Sequence, residues 1–227
     1  MDPIIIDKIA FKPDYKKIAG ELNIKPGSSR ESNLNQLIDE AVRIARPKAM
    51  YKIVTVEVLQ DAQVLLDKQP FNSRILCINL REVHRAFPYI ITSGIELYQW
   101  KNTIEDPFTG YLVDTITSFV LGETRDMMMS HLSDQYGLGK IATMNPGSLE
   151  DWPLQAQIPL FALLGDPQEA IGVSLTESLL MIPRQTVSGI LFETDTDFVN
   201  CQLCPRENCT HRRVPFDPEK RSQYLSA

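Results

Sequence analysis

Residues 107 to 136 form the longest helical candidate in the chain, and they constrain the fold more than any other stretch. Phe108, Leu112, Ile116, Phe119, Val120, Met127 and Leu132 recur at roughly the helical period, and Gly137 and Gly139 end the run. Around this helix lie short β-rich runs. Helices and strands do not alternate in the regular way that a doubly wound sheet requires. The mixed order predicts an α+β fold with a mainly antiparallel sheet. Gly122 sits inside the long helix at a cost of about 1 kcal/mol relative to alanine. It marks close packing, a ligand near the backbone, or simply a tolerated residue.

A second helix opens at Ser28, which with Glu31 makes a capping box. Leu34, Leu37, Ile38, Ala41, Val42 and Ala45 form its buried face, and Pro47 stops it. Met50 to Leu59 reads as a central strand, because both of its sides are largely apolar. Val64–Leu66 and Ile75–Ile78 read as further short strands. Asn79 with Glu82 reads as the cap of a short helix reaching Phe87. Tyr89 to Leu97 reads as a strand with Gly94 as a bulge. Ile141–Met144, Ile171–Leu175, Leu180–Ile182 and Val187–Glu193 complete the predicted strands. Between them, Asp151 is expected to cap a helix that Pro159 kinks. The expected organisation is one domain over residues 1–213, with the charged segment 214–227 as a loosely ordered tail.

Composition narrows the function. The net charge of −6 leaves no excess of cations to displace counterions from a nucleic-acid backbone. No apolar run approaches the ~20 residues that span a bilayer. Met1 to Lys8 lacks the basic leader and cleavage site of a signal peptide, so a cytoplasmic location is expected. Four cysteines in a reducing compartment read as free thiols or metal ligands rather than disulfides.

Three of those cysteines, Cys201, Cys204 and Cys209, fall within nine residues. Thiolates at that spacing can converge on zinc or an iron–sulfur cluster, with His211 or Cys77 as candidates for the missing ligand. The alternative is three incidental thiols on a surface loop. The turn Asn145-Pro146-Gly147-Ser148 offers backbone amides to a ligand, although such turns are common. Glu177, between Thr176 and Ser178, reads as a buried carboxylate with hydroxyl partners, a helix cap or a strand-surface residue. Met127-Met128-Met129 points around a helix and suits ordinary packing as well as an adaptable apolar site. His84 and His131 are isolated. No GxSxG, GxGxxG, P-loop or HExxH pattern occurs.

Several motifs stand in a linked order. They are Asn145-Pro146-Gly147, Asp151-Trp152-Pro153-Leu154, Gln157, Leu175-Thr176-Glu177-Ser178, Met181-Ile182-Pro183 and Val187-Ser188-Gly189. In this the chain resembles the activation domain of cobalamin-dependent methionine synthase, above all the short stand-alone forms. Those forms carry a cysteine cluster followed by arginine, as Cys201, Cys204, Cys209 and Arg212 do here. The resemblance is strongest over residues 141–213. It implies an α+β domain with a twisted, mainly antiparallel sheet and flanking helices, which binds S-adenosylmethionine and docks on a corrinoid-binding protein or methyltransferase subunit. An electron, from a donor such as flavodoxin or ferredoxin, and a methyl group from S-adenosylmethionine then return oxidised cobalamin to its methylated form. It also implies that Asn145, Pro146, Gly147 and Ser148 line the ligand, that Glu177 organises the pocket, and that Glu123 and Phe198 stand near the family's acidic and aromatic ligand positions. The family's Arg-x-x-Pro-Gly-Tyr appears here as Thr143-x-x-Pro146-Gly147-Ser148. Two further readings are carried: a non-enzymatic docking or electron-handling partner of a corrinoid protein, with a diverged pocket and a metal-binding cysteine cluster, and a structural descendant that binds something else.

Overall fold

The computed structural model describes residues 2–59, 62–209 and 212–226. Its first half runs β1 (Ile4–Ile6), α1 (Tyr15–Glu21), α2 (Ser29–Ile44), β2 (Lys48–Tyr51), β3 (Val54–Val58), β4 (Gln63–Leu66), β5 (Gln69–Asn72), α3 (Arg74–Leu80), β6 (Arg85–Thr92), α4 (Ile95–Asn102) and α5 (Pro107–Tyr136). The second half runs β7 (Ile141–Met144), a short 3-10 turn (Leu154–Ala156), α6 (Gln157–Leu164), α7 (Pro167–Ile171), β8 (Ser174–Leu175), β9 (Met181–Ile182), β10 (Thr186–Glu193), α8 (Asn200–Leu203) and α9 (Pro218–Ser226).

β6 is the axis of the sheet. β2 and β3 pair with successive parts of one edge, and β10 pairs with the other. β7 extends the sheet beyond β10, β1 lies outside β2, and β3–β4–β5 form a meander. Every pairing is antiparallel, so the expected α+β class with flanking helices is the class observed. Ala86 to Thr92 are all buried because both faces of β6 are covered. Phe87, Tyr89 and Ile91 face Met128 and Leu132 of α5, whereas Ala86 and Ile90 share a core with Trp152, Leu160, Leu164 and Leu76. A third apolar cluster joins α1, α2, α4 and the first half of α5 through Ile18, Leu34, Ile38, Leu97, Ile116 and Val120.

The two long helices lie where the sequence places them. In α5 the Asp106 carboxylate accepts the Thr109 N–H at 2.7 Å, Pro107 sits in the first turn, and Gly137 ends the helix at φ 62°. Other segments differ. Ile75–Ile78 is helical: the Ser73 hydroxyl accepts the Leu76 N–H at 2.9 Å, and the distant Asp151 carboxylate accepts the Ile75 N–H at 2.9 Å. Asp151 therefore caps α3 rather than the helix that follows it in sequence. Met50–Leu59 breaks at Lys52-Ile53 into two strands that pair with different parts of β6. Gly94 precedes α4 and is no bulge within β6. Pro159 falls in the first turn of α6, where its missing N–H costs nothing. In α7, Asp166 and Pro167 start a helix that Gly172 ends at φ 74°. Residues 218–226 form a helix rather than a loose tail, with Tyr224 packed on the core.

Candidate functional site

The junction of β6, β7 and β10 holds the motif residues together. The Asn145 side-chain amide donates to the Tyr89 hydroxyl and to the Ser188 carbonyl, each at 2.9 Å. Gly189 makes that approach possible, because a Cβ there would lie 2.6 Å from Asn145 Nδ2 and 2.3 Å from the Met144 carbonyl oxygen. Asn145 thus locks β7 onto β10 and β6. Pro146 is buried, and Gly147 takes a φ of 79° against Leu154. The amides expected to face a ligand are used within the chain: the Gly147 N–H donates to the Trp152 carbonyl at 2.8 Å and the Ser148 N–H to the Asn145 carbonyl at 3.1 Å.

Glu177 is exposed at the tip of the β8–β9 hairpin, not buried among hydroxyls, and its neighbours Thr176 and Ser178 bond to each other at 3.0 Å. Glu123 accepts the Lys12 N–H at 3.0 Å and so pins the N-terminal segment to α5. Burial pushes its carboxyl group above the ordinary value, and that backbone bond opposes the shift. Beside it, a Cβ at Gly122 would meet nothing within 4 Å, so that glycine does not serve close packing.

Thr143 and Phe198 meet in one place. Both line a cavity of about 220 Å³ between the sheet and the second half of α5, together with Tyr89, Arg125, Asp126 and Arg213. Burial pushes the Tyr89 phenol up, while the Arg213 and Arg125 guanidinium groups act on it in the opposite direction. Sequence reasoning missed Tyr89, Arg125, Asp126 and Arg213, since no motif marks them and only the β6–β7–β10 register brings them together. Gly147 lies against Leu154, which lines a separate groove of about 480 Å³ with Gln157, Leu180 and Arg184. A cleft of about 710 Å³ near the start of β6 and the end of β10 has Asn79, Glu82, His84 and Glu193 in its wall and holds none of the expected site residues.

The cysteine segment is organised around an arginine. Arg212 donates from its guanidinium to the carbonyls of Cys201 at 3.0 Å and Cys204 at 3.2 Å, and also to that of Arg206. Cys77 is buried on α3, and burial pushes its thiol up. Burial would do the same to Cys201, but hydrogen bonds from the Arg213 and Val214 backbone and from the Arg213 side chain outweigh it and hold that thiol below its ordinary value. Among the described residues, no three His, Cys, Asp or Glu side chains come together as a metal site. Cys77, Cys201, Cys204 and Cys209 therefore do not converge as the sequence suggested, and His211 lies outside the described residues. The Arg212 clamp on backbone oxygens orders the segment that carries those thiols. Among the described residues, no helix is long and apolar enough to cross a membrane.

Neither a family sequence model nor a curated protein sequence matches the chain. Among solved structures, it is similar to the MetH reactivation domain bound to AdoHcy, with a TM-score of 0.64 and 11% sequence identity. The match covers 88% of this chain and 81% of that one. At this identity the likeness is one of fold, and it is the fold that the resemblance in the sequence implied.

Proposed function

From that shared fold we propose that the chain is a stand-alone reactivation component of a cobalamin-dependent methionine synthase, or of a related corrinoid methyltransferase system, working in the cytoplasm. It binds S-adenosylmethionine and docks on a separate corrinoid-binding protein or methyltransferase subunit. S-adenosylmethionine supplies a methyl group, and a donor such as flavodoxin or ferredoxin supplies an electron, to restore methylcobalamin on that partner. The chain contributes binding and positioning, and residues 1–213 act as one unit. Thr143 and Phe198 line the ligand cavity, Asn145 holds the strand junction beside it with Pro146 buried next to it, and Glu123 fixes the N-terminal segment on α5. The reading is carried by the likeness to a reactivation domain that holds AdoHcy, the molecule S-adenosylmethionine becomes on giving up its methyl group.

Calorimetric titration of the protein with S-adenosylmethionine and AdoHcy tests the ligand. Conversion of oxidised to methylated cobalamin on a corrinoid protein, followed by absorption spectra with a chemical reductant, tests the reaction. Saturable binding and conversion that depends on this chain are expected. Absence of both, with and without the corrinoid protein, overturns the proposal. The internally bonded amides of Gly147 and Ser148 favour a second reading, a docking or electron-handling partner without a working S-adenosylmethionine pocket. Capture of the corrinoid protein without any S-adenosylmethionine binding would establish it.

A further inference from the structure

The cysteine segment carries two of its thiols on one short turn. Asn200 to Leu203 form the single turn of α8, with Cys201 inside it and Cys204 as the residue that ends it, at φ −90° and ψ 115°. Residues three apart on a helix share a side, and their Cα atoms lie about 5 Å apart. A disulfide spans Cα atoms roughly 4.4–6.8 Å apart, so the turn already holds the two cysteines within bonding range. Cys204 has left helical geometry, which frees its side chain to swing toward Cys201. Pro205 follows at once and keeps the helix from continuing past it.

The surroundings hold that turn in place. The Arg212 guanidinium donates to the carbonyls of both cysteines, at 3.0 Å to Cys201 and 3.2 Å to Cys204, so one side chain spans the pair. Gln202, between them, is anchored separately: its carbonyl accepts the Asp217 N–H at 2.8 Å, and its side-chain oxygen accepts from the Lys220 ammonium at 2.7 Å. Both thiols are free and partly exposed, whereas Cys77 is buried on α3. Arg213, through backbone and side chain, and the Val214 backbone bond to the Cys201 sulfur, and donors at a sulfur favour its charged form. Cys201 is therefore the attacking sulfur and Cys204 the one placed to resolve it. Cys209 is tied to the same arginine, its carbonyl accepting the Arg212 N–H at 3.2 Å, but it lies beyond Pro205 and outside the helical turn.

We propose that Cys201 and Cys204 are a reversible dithiol–disulfide pair that exchanges with low-molecular-weight disulfides. The Cys201 thiolate attacks one sulfur of a disulfide RS–SR, which forms a Cys201–SR bond and expels one RS⁻. The Cys204 thiol gives its proton to solvent and attacks the Cys201 sulfur, which forms the Cys201–Cys204 bond and expels the second RS⁻. The protein gives up two electrons and two protons, and the small disulfide takes them up as two RSH. An excess of a reducing dithiol runs the sequence backwards. Neither step uses S-adenosylmethionine or a corrinoid partner, so the pair stands or falls independently of the function proposed above.

Peptide mapping of the full-length protein tests the pair. The reduced protein is equilibrated with glutathione disulfide under argon, quenched with acid, alkylated, digested and read by mass spectrometry. One Cys201–Cys204 bond is expected, a loss of about 2 Da from the intact protein that dithiothreitol reverses. Cys204→Ser should stop after the first step and carry glutathione on Cys201, whereas Cys201→Ser should leave Cys204 unmodified over the same time. Cys209→Ser should form the bond as wild type does. A bond to Cys209 in place of Cys204 overturns the pair, as does glutathione stalled on Cys201 of the wild type, or a Cys201 that stays reduced. Glutathione on Cys204 rather than Cys201 in the single variants overturns the order of attack. Should any variant fail to fold, the bond mapped in the wild-type protein decides the question alone.

Discussion

At the scale of single residues, two glycines of the same type have opposite effects. Gly189 is held by its neighbours: an added methyl would strike the Met144 carbonyl at 2.3 Å, a backbone atom that cannot rotate away. Gly189→Ala is expected to cost at least about 1–3 kcal/mol and to loosen the Asn145 lock, read as a lower urea midpoint. Gly122 has open space where its Cβ would stand and lies inside α5. Gly122→Ala should therefore stabilise the protein by about 1 kcal/mol in the same assay. Glu123, its neighbour, gives a pH dependence. Burial raises its pKa in the folded state above the ordinary 4.5, so the folded form holds the proton more tightly than the unfolded chain does. The stabilising contribution is complete below 4.5 and is lost as pH rises through the folded value. Glu123→Gln keeps an oxygen for the Lys12 N–H and removes the charge. Its stability relative to wild type should rise from acid to neutral pH, and a flat difference would rule out burial as the cause. Of the candidate site, Asn145, Pro146 and Gly147 were legible as a special turn, but not the direction of their bonds. A sequence shows which residues can form a turn, and whether the amides serve a ligand or Trp152 depends on what packs beside them.

At the scale of elements, α2 and α5 were legible because their information is local: a cap, a periodic apolar face and a stop lie within each segment. α3 was not, because part of its start signal lies 76 residues away in Asp151, which accepts the Ile75 N–H. Its apolar run of Ile75-Leu76-Cys77-Ile78 is too short for periodicity to separate helix from buried strand. Asp151→Ala should cost about 0.5–2 kcal/mol, the usual loss of an N-cap. Amide hydrogen exchange should locate that loss in the first turn of α3 rather than near residue 154. The fork at β6 was hidden for a related reason. One apolar run, Met50 to Leu59, serves two strands, and only the pairing partners reveal the break at Lys52-Ile53. In the cysteine segment, spacing pointed to a metal, but Arg212 occupies the carbonyls of Cys201, Cys204 and Arg206. Arg212→Ala removes those bonds together, whereas Cys209→Ser leaves them. Limited proteolysis should therefore cut residues 201–214 faster in Arg212→Ala and at the wild-type rate in Cys209→Ser. A chelator should change neither rate, and protection lost with chelator would restore the metal reading.

At the scale of the whole molecule, the C-terminal helix closes a core that begins in the middle of the sheet. Phe192 of β10 meets Phe198 at a ring separation of 6.4 Å, and Phe198 meets Tyr224 of α9 at 5.8 Å. Phe198 also forms part of the cavity wall, so α9 supports the proposed ligand site from behind without touching it. Two kinds of contact hold the helix: this aromatic series, and polar contacts that include Arg221–Glu150 at 3.1 Å and Lys220 to Gln202 at 2.7 Å. Glu150 is 83% exposed, so its ion pair contributes at most about 1 kcal/mol and is weakened by salt. The half-buried Tyr224 ring removes apolar area from water at roughly 25 cal/mol per Å², which makes it the larger contribution. Tyr224→Ala is therefore expected to destabilise by about 2 kcal/mol, and Arg221→Ala by less than about 0.5 kcal/mol. The two variants differ further at the ligand site. Without Tyr224, Phe198 loses a ring that packs on it, so S-adenosylmethionine binding should weaken in Tyr224→Ala while Arg221→Ala binds as wild type. Equal affinity in both variants at a temperature where both are folded would show that α9 serves stability alone and that the cavity wall stands without it.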